Sequence, residues 1–114
     1  VECDAAIMDG RGREAGAVAG VSATRNPVTL ARKVMEESPH VLLSAAGADI
    51  FSIEHGAEQA TQDWFAIPER RRQLHEMKAR PEGAFDSGMK YGTVGAVAVD
   101  DHREGVDRPG GLAD

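Results

Sequence analysis

The chain has 114 residues, 41% of them hydrophobic and 4% aromatic, and carries a formal net charge of −6; at this size it suits one small domain that buries roughly two-thirds of its unfolded surface. The acidic balance excludes a basic stripe for nucleic acid, since cationic clusters such as Arg70-Arg71-Arg72 are short, sit among glutamates and read as a solvated helix face. No apolar run approaches the roughly 20 residues needed to span a bilayer, and the single Cys3 allows no internal disulfide and no cysteine metal cluster, so the expected setting is reducing and cytoplasmic.

Residues 5–8 and 15–21 read as two apolar strands joined by a turn over Asp9-Gly10-Arg11-Gly12, where glycine can supply a positive φ. Their continuous apolar character predicts strands covered on both faces, as in a layered sandwich. Asn26-Pro27 predicts a helix start, with asparagine as N-cap and proline at the first helical position. Val28, Ala31, Val34 and Met35 form its apolar face, and Ser38-Pro39 ends it. Residues 40–46 read as a short strand or extended segment, and residues 48–55 as a short helix stopped by Gly56. Thr61 is placed to cap a turn carrying Trp64, a packing anchor, and Phe65, and Pro68 opens a helix through about Lys78. Residues 79–90 hold Pro81, Gly83, Ser87 and Gly88 with charge between them and read as a mobile linker.

Thr93 then opens a further small-residue strand, Thr93-Val94-Gly95-Ala96-Val97-Ala98-Val99-Asp100, directly after Gly92. A threonine hydroxyl is a weak nucleophile and needs a base within hydrogen-bond reach. Cleavage of the peptide bond before Thr93 supplies one, because a free α-amine with a pKa of about 7.7–8.0 is partly neutral near pH 7 to 8. Gly92, with no Cβ, lets the backbone reach the strained geometry in which the Thr93 hydroxyl attacks the Gly92 carbonyl. The same dipeptide also suits an ordinary loop leading into a strand. His40, His55, His75 and His102 show no metal spacing and read as surface or half-buried residues, and Asp4 and Asp9 are assigned to structure. Residues 15–21 and 94–99 are similar runs, explained by two small-residue core strands without an internal repeat.

An ordered set of motifs carries a resemblance. Asp4-Ala5-Ala6-Ile7-Met8-Asp9-Gly10, Ala15-Gly16-Ala17-Val18-Ala19-Gly20-Val21, Arg25-Asn26-Pro27, Ala31-Arg32-Lys33-Val34-Met35-Glu36, Ser38-Pro39-His40-Val41-Leu42-Leu43, Gly47-Ala48, Trp64-Phe65 and Gly92-Thr93-Val94-Gly95 follow one another along the chain. In this order they resemble the plant-type L-asparaginase and isoaspartyl peptidase family of N-terminal-nucleophile threonine hydrolases. The resemblance implies an α/β (α+β) chain that is part of a four-layer αββα sandwich. It implies autocleavage at Gly92-Thr93, with Thr93 as catalytic nucleophile, residues 1–92 as the C-terminal part of the larger subunit with a flexible linker at about 79–91, and residues 93–114 as the start of the smaller one. Family members hydrolyse L-asparagine and β-aspartyl dipeptides through an acyl-enzyme ester, usually as a dimer of cleaved chains. The expected partners are therefore a small-molecule substrate and a second copy of the cleaved chain, with neither nucleic acid nor membrane. No cofactor or metal is expected, the family's structural sodium loop having no counterpart in these residues.

The departures are equally specific. The family's opening His-Gly-Gly-Ala-Gly turn has no match, and where a Thr-Ser-Thr-Gly-Gly hairpin strand is expected the chain reads Asp107-Arg108-Pro109-Gly110-Gly111 after the charged run Asp101-His102-Arg103-Glu104-Gly105. Pro109 cannot donate to a strand ladder. The family's oxyanion hole and substrate clamp lie further downstream, and removal of one oxyanion donor costs about 10²–10³ in turnover, so the 114 residues alone are expected to show no asparaginase activity. The alternative reading is a truncated or frame-altered, non-catalytic interaction module of the same fold. The branch that hydrolyses glycosylated asparagine fits Gly92-Thr93-Val94-Gly95 less well.

Overall fold

In the computed structural model, residues 1–79 and 92–101 are described. The order is β1 (Cys3–Met8), β2 (Ala15–Val21), α1 (Pro27–Glu37), β3 (Leu42–Ser44), α2 (Ala45–Glu54), α3 (Gln62–Phe65) and α4 (Pro68–Lys78). The strands form one mixed sheet in the order β1-β2-β3. β1 and β2 run antiparallel as a hairpin, and β2 and β3 run parallel through the α1 crossover. The chain is thus of the mixed α/β class.

The hairpin loop does not take its left-handed turn at a glycine. Asp9 N–H donates to the Glu14 carbonyl at 2.8 Å and the Asp9 carboxylate accepts from Arg11 N–H at 3.0 Å, but the left-handed residue of the loop is Arg13 (φ 60°), not Gly10 or Gly12. The local Asx turn directs the chain without needing a glycine at positive φ. Farther along, the pairing skips from Ala5↔Val18 to Cys3↔Val21, which puts an extra residue into β2. Gly20 takes φ 65° there, and the Asp4 carboxylate accepts its N–H at 2.8 Å. Asp4 and Asp9 are therefore the structural residues that their positions predict.

The core is small and lies on one side of the sheet. Val18 and Val21 of β2 meet Leu30, Ala31 and Val34 of α1 and Ala48 of α2, all 2% exposed or less; each of the larger side chains contributes about 1.5–3 kcal/mol by leaving water. Helix α1 begins at Pro27 and ends before Ser38 as the sequence predicts. Its inward face is Leu30, Ala31 and Val34, while Val28 is 57% exposed. Gly16 makes this packing feasible: a Cβ there would overlap the Ala31 carbonyl oxygen and the Met35 backbone nitrogen, so helix and strand meet backbone to backbone. Expected coverage of both sheet faces is not found among the described residues. β1 alternates strictly between half-buried Cys3, Ala5, Ile7 and exposed Asp4, Ala6, Met8, because the helices packed on it lie on one side only.

Other boundaries shift for local reasons. β3 runs straight into α2, which opens at Ala45 (φ 49°) rather than at residue 48. α2 closes as a Schellman turn at Gly56 (φ 72°), with Gly56 N–H donating to Ile53 and Ala57 N–H to Ser52. Asn26 and Thr61 occupy N-cap positions, yet neither side chain makes a capping hydrogen bond. Trp64 is no core anchor: it is 53% exposed and lies under the Arg25 guanidinium, 4.2 Å from ring centroid to Cζ.

Candidate functional site at Gly92 and Thr93

The residues that the sequence marks as candidates for chemistry sit in a different physical setting from the core. Residues 92–101 form no strand, and Val94, Val97 and Val99 are 96%, 93% and 89% exposed. The strand expected from Thr93 to Asp100 is therefore corrected: its backbone finds no ladder partner among the described residues, and β-forming side chains alone do not create a strand. Thr93 is exposed, which leaves its hydroxyl accessible. The linker at 79–91 falls, apart from Ala79 as the C-cap of α4, outside the described residues, as do His102 and the segment through Asp114.

Gly92 touches α4. The position its Cβ would take is filled by the guanidinium of Arg70. Arg70 Nη1 also donates to Gln73 Oε1 at 2.9 Å. Its neighbours do what a solvated face predicts: Arg71 lies 3.7 Å from Asp63, and Arg72 pairs with Glu69 at 2.7 Å and with Glu76. No sequence signal marks Arg70 among three consecutive arginines, since only the return of the chain to α4 singles it out.

A second set of polar groups ties the elements beneath. Ser22 N–H and Oγ donate to the two Asp49 oxygens at 3.1 and 2.9 Å, fixing α2 to the end of β2. Thr24 and Ser52, both buried, share a 2.6 Å hydroxyl contact, and Gln59 Nε2 donates to Ser52 at 2.8 Å. Arg25 pairs with Glu58 at 2.7 Å while Arg25 N–H donates to the Glu58 carbonyl. These groups satisfy one another as a scaffold. An open cleft of about 480 Å³ lies between Val1, Glu2, Ser22, Ala23, Ala60, Thr61 and Gln62, and Thr93 is not in its lining.

Of the described histidines, only His55 is partly buried. His55 stacks on Phe51 at 3.7 Å, with Nδ1 3.0 Å from the Phe51 carbonyl, whereas His40 and His75 are exposed. Among the described residues no group of three or more His, Cys, Asp or Glu side chains is arranged to hold a metal ion, and no helix is long and apolar enough to cross a membrane. Burial pushes the Cys3 thiol up from its ordinary pKa; nearby Asp4 adds to this, while the amino terminus and Arg70 pull it back.

Comparison with known proteins shows what the chain as a whole is similar to. The profile of the asparaginase family (Asparaginase_2) matches residues 1–105, a span that includes Gly92 and Thr93. The chain is 47% identical over 108 residues to the isoaspartyl peptidase of Escherichia coli (strain K12), covering 87% of this chain and 33% of that protein. It is 49% identical over 106 residues to the isoaspartyl peptidase of Salmonella typhimurium, covering 87% and 34%. Against the human isoaspartyl peptidase/L-asparaginase it is 41% identical over 102 residues, covering 88% and 33%. The chain spans about a third of the length of these curated relatives.

Proposed function

This chain belongs to the asparaginase family, and from that premise we propose that its gene product is an amidohydrolase of the isoaspartyl peptidase/L-asparaginase type that cleaves itself between Gly92 and Thr93. Residues up to Gly92 then belong to the larger subunit and Thr93 opens the smaller. The observation that carries the reading is the accessible Gly92-Thr93 pair inside the family-matched span.

Thr93 Oγ attacks the Gly92 carbonyl, the peptide bond gives way to an ester, and water hydrolyses the ester. The freed α-amine then serves as the base for the same hydroxyl. In turnover that hydroxyl attacks the side-chain amide of L-asparagine or the β-linked peptide bond of a β-aspartyl dipeptide. Ammonia or the second amino acid leaves, and water releases aspartate. The bonds made and broken in this sequence call on the threonine hydroxyl and α-amine, and none of the steps requires a cofactor. The open face of the sheet, with exposed Ala6 and Met8, supports assembly with further protein layers and with a second cleaved chain. We place the enzyme in the cytoplasm, a reducing compartment that suits the half-buried free thiol of Cys3.

The test is intact mass spectrometry of the complete gene product during incubation after purification. Two pieces whose masses meet at the Gly92-Thr93 junction are expected, and a Thr93→Ala variant is expected to stay whole and to release no ammonia from L-asparagine. A folded parent protein that remains one piece overturns the proposal. The exposed valines 94, 97 and 99 favour a second reading, a non-catalytic interaction module. It predicts a soluble assembly whose mass never changes and whose formation is insensitive to Thr93→Ala.

A further inference from the structure

Gly92 has a second reason to be glycine. Its missing Cβ leaves the space that the Arg70 guanidinium occupies, with Cζ, Nη1 and Nη2 all converging on that one position. Arg70 stands in the first turn of α4, and its Nη1 donates to Gln73 one turn on. Arg71 and Arg72 face carboxylates. Arg70 instead donates to the neutral Gln73 amide and lies against Gly92, near enough to Cys3 to lower its thiol's pKa.

We propose that Arg70 is a positioning residue for self-cleavage at Gly92-Thr93: its guanidinium docks Gly92 against α4 and sets a permanent positive charge beside the residue on which negative charge develops. The inference rests on Thr93 being the self-cleaving nucleophile. In the first step a bond forms between Thr93 Oγ and the Gly92 carbonyl carbon, whose oxygen becomes an oxyanion. The carbon–nitrogen bond then breaks, and the hydroxyl proton ends on the threonine nitrogen. In the second step water adds to the ester, restoring the hydroxyl and leaving a carboxylate on Gly92. Oxyanion and carboxylate thus both belong to the residue that Arg70 touches. A guanidinium stays charged throughout, and its plane can lie flat on a backbone that bears no side chain.

The experiment follows the cleavage rate of the complete gene product by intact mass for the parent, Thr93→Ala, Arg70→Ala, Arg70→Lys, Gly92→Ala and the Arg70→Ala/Gly92→Ala pair, with a thermal melt of each. The contact is exposed, so Arg70→Ala is expected to slow cleavage about three- to tenfold at an unchanged melting temperature. Arg70→Lys should fall between the two, and guanidinium ion far below denaturing concentration should restore part of the Arg70→Ala rate. The three atoms nearest to a Cβ at residue 92 all belong to the flexible end of Arg70, so adding Gly92→Ala to Arg70→Ala should cost less than Gly92→Ala costs alone.

Arg70→Ala cleaving at the parent rate while Thr93→Ala stays whole overturns the inference and leaves the nucleophile standing. A slowed Arg70→Ala that also melts lower and gains nothing from guanidinium overturns it in favour of lost structure. A folded parent that never cleaves removes the nucleophile reading and the inference together.

Discussion

The tetrapeptide Gly-Ala-Val-Ala occurs twice in this chain, at residues 16–19 and 95–98, and the two copies have opposite fates. In the first, Val18 is 2% exposed in the middle strand of the sheet, and Gly16 lies so close to α1 that a methyl group would strike the Ala31 carbonyl oxygen. In the second, Val97 is 93% exposed, and a methyl on Gly95 would meet nothing within 4 Å. The intrinsic preferences of the two segments are the same by construction. What separates them is partnership: residues 16–19 have β1 on one side, β3 on the other and α1 across one face, and residues 95–98 have no paired strand among the described residues. Strand formation is thus a property of the neighbours that satisfy its backbone and cover its side chains.

Substituting the paired glycines breaks or sharpens this contrast most strongly. Gly16→Ala is expected to destabilise the chain by about 3 kcal/mol or more, because backbone atoms of α1 cannot move aside as a flexible side chain would. Gly95→Ala is expected to stay within about 0.5 kcal/mol. Chemical denaturation of both variants reads the difference, and equal effects would abolish the contrast. Next in size are the valines. Val18→Ala should cost about 2 kcal/mol through lost burial and the cavity left behind, while Val97→Ala stays within about 0.5 kcal/mol. If Val97→Ala destabilises the complete gene product as much as Val18→Ala does, the second copy is packed there, and the comparison becomes a measure of what that packing adds.

The smallest expected effect concerns Cys3, at the β1 edge of the same sheet. Its folded pKa is raised, chiefly by burial. A raised folded pKa gives a stability contribution that is fully present below the unfolded thiol's pKa and is lost as the pH rises through the folded value. Stability should therefore sag at alkaline pH in the parent and sag less in Cys3→Ser. Parallel melting curves for the two proteins across that range would refute the assignment.

How far the sequence reaches can be followed residue by residue. Pro27 and Pro68 open the two longest helices where expected, and Gly56 ends α2, because these residues act through their own backbone geometry. Asn26 and Thr61 sit where caps belong without making the hydrogen bond, since a cap also needs a side-chain rotamer that sequence does not specify. Trp64 looks like a core residue by composition and is instead half exposed against Arg25. Position in space, not residue type, decided its role.

By itself the sequence determined the family, the mixed α/β class, the hairpin and the opening helix, and it marked Gly92-Thr93 as the candidate site that the proposed function takes up. These follow from local backbone preferences, apolar periodicity and the ordered motifs that residues carry wherever the chain goes. Only the tertiary structure decided that Gly16 is a contact point between strand and helix, that one copy of Gly-Ala-Val-Ala is buried and the other open to water, and that Arg70 rather than either neighbouring arginine meets Gly92. Each of those depends on groups distant in sequence arriving at the same point, and the packing of close-fitting side chains and backbones determines which of them do.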